Sequence, residues 1–171
     1  MKKITHWIDG KPFVGEAERH GKVFNPATGV QSGEVDFASV AEVDAAVAAA
    51  KAAFPEWRAT SLAKRTAALF ALRELLVAHS GELADLIVSE HGKVKSDAAG
   101  EVARGLEVVE YACGIAQLMK GEFTENASTG VNVHSVRQPL GVVAGITPFN
   151  FPAMVPMWMW APALATGNTF V

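Results

Sequence analysis

From Gln138 to Val171 the chain carries no charged side chain, and this run limits the fold more than any other feature. A stretch so long and apolar reads first as a membrane span. Pro148, Pro152, Pro156 and Pro162 all fall inside it, with Asn150 between the first two. Each interior proline removes a helix hydrogen bond and clashes with the preceding turn. A buried strand–loop–helix unit satisfies both facts. Leu140-Gly141-Val142-Val143-Ala144-Gly145-Ile146 is a continuous apolar run, suited to a strand buried on both faces. Thr147 to Pro152 must be a shaped loop. Ala153 to about Ala165 reads as a helix whose regularity Pro156 and Pro162 limit, and Gly167 suits its exit. Thr169-Phe170-Val171 then opens another β-type run. A parallel pair needs a second strand of full length, and an uncovered apolar edge invites aggregation. The chain is therefore expected to be a fragment of a longer protein.

Upstream the patterning is different. The first 37 residues read as short strands and turns, with Asp9-Gly10 and Asn25-Pro26-Ala27-Thr28-Gly29 as turn chemistry. Trp7, Ile8, Phe13 and Val14 flank the first turn and suggest a small hairpin. Ser39-Val40-Ala41-Glu42 is a capping box opening an alanine-rich helix that runs to about Phe54 and stops at Pro55. A second helix starts near Thr60 or Ser61 and buries Leu69, Leu72 and Leu76. Ser80 is expected to cap a third, with Leu83, Leu86 and Ile87 inward and Gly92 closing it. A fourth begins near Ser96, carries the stripe Val102, Leu106, Val109, Cys113 and Ala116, and ends around Lys120-Gly121. Between Gly130 and Pro139, Val131 to Arg137 alternate as a strand.

Charge and cysteine content exclude several classes. With 15 Lys+Arg against 18 Asp+Glu and a net charge of −3, there is no basic excess for general nucleic-acid binding. One cysteine, Cys113, cannot make a disulfide scaffold and fits a reducing compartment. Lys2 and Lys3 are basic, but Ile4 to Gly10 supplies no apolar targeting core. The cytoplasm is the expected location, with no membrane and no nucleic acid as partner.

Common catalytic patterns are missing. There is no phosphate-binding Gly-x-x-x-x-Gly-Lys loop, no Gly-x-Gly-x-x-Gly and no Gly-x-Ser-x-Gly. His6, His20, His79, His91 and His134 are scattered without metal-ligand spacing. Cys113 sits on an apolar helix stripe, where burial raises a thiol pKa and blunts its reactivity. Gly141 and Gly145 have helix-dimer spacing but lie in an expected strand. Asn150 stands apart. Loops at the C-terminal ends of parallel strands are where such folds bind ligands, and its amide is a neutral donor for a developing oxyanion. The alternative is a turn residue bonding its own backbone, and the residues alone leave both open.

Pro139-Leu140-Gly141-Val142-Val143 followed by Thr147-Pro148-Phe149-Asn150-Phe151-Pro152 resembles the signature loop of the aldehyde dehydrogenase superfamily, most members of which have Trp where this chain has Phe149. Phe149, Met154-Val155-Pro156-Met157-Trp158-Met159, Gly167-Asn168-Thr169-Phe170-Val171 and Gly100-Glu101-Val102-Ala103-Arg104-Gly105-Leu106-Glu107-Val108-Val109-Glu110 resemble its CoA-acylating methylmalonate-semialdehyde branch. The likeness runs from about His6 to Val171 and corresponds to the first third of a member. It implies an α/β, aldehyde-dehydrogenase-like fold: the N-terminal part of the Rossmann-type NAD-binding domain with preceding helices. Residues 1–124 would supply strands and the helical part of that domain, 125–139 an oligomerisation β segment, and 140–171 its first strand–loop–helix, truncated.

The same resemblance implies roles. Asn150 matches the oxyanion-site asparagine. Ile146, Thr147, Pro148 and Phe149 match the loop along the nicotinamide end of NAD. Arg104 matches an arginine for the substrate carboxylate, although Glu101 and Glu107, each three residues away, leave an ordinary surface ion pair as the competing account. In the family a cysteine thiolate attacks the aldehyde, hydride passes to NAD, and CoA takes the acyl group with loss of CO2, giving propionyl-CoA or acetyl-CoA. The resemblance places the nucleophilic cysteine and the residues for the adenosine end beyond Val171. NAD, coenzyme A as co-substrate, a small semialdehyde and a homo-tetramer or dimer are the implied partners. A hydrolytic aldehyde dehydrogenase and a non-catalytic scaffold segment are the alternatives.

Overall fold

The structure, a computed structural model, describes residues 2–15 and 17–171. Short strands come first: β1 (Lys2–Ile4), β2 (His6–Ile8), β3 (Lys11–Phe13), β4 (Arg19–Phe24) and β5 (Gln31–Phe37). β5 is central, with β1 parallel on one side and β4 antiparallel on the other. β2 and β3 form the expected hairpin, with His6 opposite Phe13. Asp9 and Gly10 take φ values of 55° and 69° at its turn, the mirror-image geometry that matches strand twist.

Helix α1 (Val40–Ala59) begins with the expected capping box: Ser39 accepts from the Glu42 amide and Glu42 reaches back to the Ser39 amide. It does not stop at Pro55 but runs through it. The reason is tertiary. Trp57 Nε1 donates to the Leu164 carbonyl at 3.0 Å, and Thr60 closes the last turn onto Glu56 and Trp57. Helix α2 (Leu62–Ala78) starts at an Ser61 cap. Helix α3 (Ser80–His91) is separated from it by His79 alone, so Ser80 lies inside the helix and donates to the Val77 carbonyl instead of capping. Gly92 closes α3 at φ 80° as expected. Leu86 points outward, 53% exposed, while Ala84 joins Ile87 inside. Helix α4 (Lys95–Cys113) ends earlier than its stripe suggested, because the chain tightens into a 3₁₀ turn at Ile115–Gln117. That turn buries Ile115 rather than Ala116.

Next comes an exposed hairpin of β6 (Phe123–Ser128) and β7 (Val131–His134). β8 (Val142–Val143) then pairs in parallel with β9 (Thr169–Phe170) across helix α5 (Met154–Ala165). The strand expected over Leu140–Ile146 is thus short and half-buried, with Leu140 and Ile146 exposed. A ladder reaches only as far as its partner: beyond Val143 one bond remains, from the Gly145 amide to the Val171 carbonyl.

The core lies where α2, α4 and α5 meet. Leu69, Val109, Ala112, Cys113, Met157 and Ala161 are buried together, and Ala84, Ile87, Ala98 and Val102 continue it under α3. Gly105 allows the close approach of α4 and α5, since a Cβ there would meet the Met157 sulfur at 2.6 Å and the Met154 Cα at 3.2 Å. At the far end of α5, Arg65 is buried, and its Nε donates to the Ala165 carbonyl at 3.2 Å and its Nη1 to that of Thr60 at 2.7 Å. Asn168 joins the exit of α5 to the entry of β8: its Oδ1 accepts from the Leu140 and Gly141 amides, and its Nδ2 donates to Thr166.

Candidate active site

Ile146 to Pro152 leave the C-terminal end of β8 and turn into the N-terminus of α5. Side chains of Ile146 and Phe149 are 96% and 93% exposed, with Thr147 and Pro148 exposed between them and Asn150 exposed just after. This is an uncharged ledge with one hydroxyl. Phe149 also borders a cleft of about 370 Å³ with Leu83, Leu86, Ile87, Pro152 and Ala153. A larger cavity, about 640 Å³, lies elsewhere, among Trp7, Ala50, Trp57 and Phe170. Its lining includes only Asp9 as a titratable group, so size does not mark the chemistry here.

What holds the loop is a pair of residues from other elements. An α5 start has backbone amides without helix partners, and Ala153 at its N-cap has no side chain to satisfy them. Glu101, fully buried on α4, does so instead. Its Oε1 accepts from the Ala153 amide at 2.8 Å and the Met154 amide at 3.2 Å. Its Oε2 meets Lys93 Nζ at 2.6 Å. Burial alone would raise this carboxyl's pKa, but the Lys93 bond and the two amides together hold it below the ordinary value. Lys93 Nζ also donates to the Asn150 carbonyl at 2.7 Å and sits 4.3 Å from the Phe151 ring centroid.

Arg104 lies one turn along α4 from Glu101. Its guanidinium approaches the same Phe151 ring at 6.0 Å, and its Nε points at the Met154 sulfur at 3.3 Å. Among the described residues no ion pair joins it to Glu101 or Glu107; Glu101 is committed to Lys93. The competing surface-pair account is thereby corrected. Arg104 approaches the ring of Phe151, the residue next to Asn150, while Ile146, Thr147, Pro148 and Phe149 precede them in the same loop. Among the described hydrogen bonds none engages the Asn150 carboxamide. The turn account, in which that amide bonds its own backbone, therefore finds no contact here.

Sequence reasoning overlooked Lys93 and misassigned Glu101. The signal was present: Ala98, Glu101 and Gly105 follow a three-then-four spacing on the face that Val102 and Val109 share. A glutamate on an inward helix face must find a donor. Cys113 is buried, and burial raises its thiol pKa, with Glu110 adding to the effect. Both effects disfavour its reactive thiolate form. Among the described residues no cluster of His, Cys, Asp or Glu could hold a metal ion, and no helix is long and apolar enough to cross a membrane.

A parallel strand pair with this loop at its C-terminal end, entering a helix capped from a second helix, defines a known class. The aldehyde dehydrogenase family profile matches residues 13–171, and the chain belongs to the aldehyde dehydrogenase family. It is 47% identical over its whole length to the malonate-semialdehyde dehydrogenase of Pseudomonas aeruginosa, of which it covers 34%. It is 45% identical, over 98% of the chain and 31% of the relative, to the acylating mitochondrial methylmalonate-semialdehyde/malonate-semialdehyde dehydrogenase of Rattus norvegicus. A Sinorhizobium meliloti structure described as a methylmalonate-semialdehyde dehydrogenase complexed with NAD superposes with a TM-score of 0.96. It is 50% identical over 99% of this chain and 35% of its own. The chain thus spans about a third of these relatives, and its α/β fold is that of the N-terminal part of aldehyde dehydrogenases.

Proposed function

We propose that these residues form the N-terminal third of an NAD-dependent, CoA-acylating (methyl)malonate-semialdehyde dehydrogenase that yields acetyl-CoA or propionyl-CoA with loss of CO2. The observation that carries the reading is the anchored loop: the Asn150 backbone is fixed by Lys93, and Arg104 stands at the same aromatic ring. Fixing the backbone of the residue that carries the amide lowers the reorganisation needed when negative charge develops on an attacked carbonyl. A semialdehyde acid carries a carboxylate, for which the forked guanidinium of Arg104 is the matching partner.

The exposed ledge of Ile146, Thr147, Pro148 and Phe149 fits the flat aromatic face of a nicotinamide ring, because it is apolar, carries no cation to repel the pyridinium, and offers one hydroxyl. NAD, when bound, supplies the hydride acceptor. These residues would bind and orient its ring and exclude water from it. On this reading the isolated chain is inactive, since nucleophile and adenosine site are contributed elsewhere in the enzyme. The buried, unpaired thiol of Cys113 supports a reducing compartment, the cytoplasm.

The test is NADH formation from malonate semialdehyde by the full-length enzyme. Turnover that requires CoA and yields acetyl-CoA is the expected result. Free acid formed at the same rate without CoA would place the enzyme among hydrolytic aldehyde dehydrogenases instead.

A further inference from the structure

Lys93 and Glu101 carry no role in the resemblance that assigns Asn150, yet they converge on the loop around it. Among the described hydrogen bonds, every one that ties the backbone of 150, 153 or 154 to another element comes from these two side chains. Lys93 fixes the carbonyl of Asn150 and lies against the ring of Phe151. Glu101 fixes the amides of Ala153 and Met154. The four held residues bracket the carboxamide on its C-terminal side and set the direction in which it leaves the backbone.

Helix capping alone does not explain the arrangement. Ala153 is itself in the helical region, at φ −105° and ψ −47°, and α5 is capped from α4 by a carboxylate that is completely buried. Taking a carboxylate and an ammonium out of water costs several kcal/mol each, so a buried pair is poor value for stability alone. Such pairs are best attested where one geometry must be selected among several. Lys93 also spends a hydrogen bond on Asn150 that Glu101 does not need.

We propose that Lys93 and Glu101 are positioning residues for the Asn150 carboxamide: the ion pair locks the 150–154 backbone so that the amide points at the reacting carbonyl. The inference rests on the oxyanion reading of Asn150. The site requires the pair intact, with Lys93 bridging carboxylate and carbonyl. Misplacement of a reacting partner by about 1 Å costs up to roughly 100-fold in rate, which sets the scale of the effect.

The experiment is a pair of double-mutant cycles in the full-length enzyme, reading kcat at saturating malonate semialdehyde, NAD and CoA. Asn150→Ala alone should lower kcat by about 10²–10³. Lys93→Met and Glu101→Gln should each lower it by about 10- to 100-fold when Asn150 is present. In the Asn150→Ala background the same changes should cost less than about threefold, because the group they position is gone. KM for NAD should not move, and Lys93→Arg should recover part of the rate. Equal losses in both backgrounds would mean that the pair merely supports the fold, and the inference would fall. Unchanged kcat in the single variants would also overturn it. If Asn150→Ala itself is harmless, the oxyanion reading fails first and separately. Hydrogen exchange at the Ala153 and Met154 amides supplies a readout without activity: it should rise in Glu101→Leu, which has no acceptor, and exchange as slow as in the parent would contradict the lock.

Discussion

Arg104 and Glu101 sit three residues apart on α4, and their fates are opposite. Arg104 is exposed and keeps its guanidinium free of carboxylates, available to a ligand. Replacing it with Ala in the full-length enzyme removes a charge-assisted contact worth about 1.5–3 kcal/mol. The KM for malonate semialdehyde should rise by about 10- to 100-fold, while propanal, which lacks the carboxylate, should be handled as before. Glu101 is a stability residue as well as a site residue. Its folded pKa lies below the ordinary 4.5, so the carboxylate's contribution is fully present above that value and is lost as pH falls through the folded pKa. Denaturant titrations of the parent should therefore show stability dropping on acidification below pH 4.5. Glu101→Gln should be less stable at neutral pH and show a flatter acid slope. An identical slope would remove Glu101 from the acid response. Sequence pattern alone could place Glu101 on an inward face but could not say which lysine answers it, since Lys93 lies before the helix begins.

At the scale of elements, features made by near neighbours were legible and features made by distant ones were not. The Ser39–Glu42 box and the Gly92 exit involve residues within a turn of each other, and both are present as read. Pro55 was misread as a stop because the bond that sustains α1 past it comes from Leu164. Ser80 was misread as a cap because α2 and α3 leave only His79 between them. The apolar run at 140–146 was read as a strand of its own length, whereas β9 sets how much of it pairs. Gly105 belongs to the same group of distant effects. Gly105→Ala gains about 1 kcal/mol of helix propensity but drives a methyl into Met157 and the Met154 backbone, an overpacking worth about 1–3 kcal/mol. A lower thermal midpoint is expected; a higher one would show that α4 and α5 separate freely.

On the scale of the whole molecule, the β6–β7 hairpin stands out from the packed helices. Its residues are exposed along both strands, including Phe123, Val131 and Val133. On the proposed function, the apolar side chains left uncovered on this hairpin would meet another copy of the enzyme. Val133→Lys in the full-length enzyme should shift light-scattering mass from a tetramer or dimer toward smaller species, and an unaltered mass would exclude the hairpin from the interface. The fold class and the loop were readable because the uncharged run and its prolines are contiguous. The cradle behind the loop was not, because it is assembled from residues some fifty positions upstream.

Helix α5 is gripped by opposite charges at its two ends, Glu101 on the entering amides and Arg65 on the carbonyl of Ala165. Each sign matches the helix dipole at its own end. Sliding this helix along its axis would break both contacts at once. The height of Asn150 above the strand ends is in that sense tied to two side chains of opposite sign, one at each end of the helix that follows it.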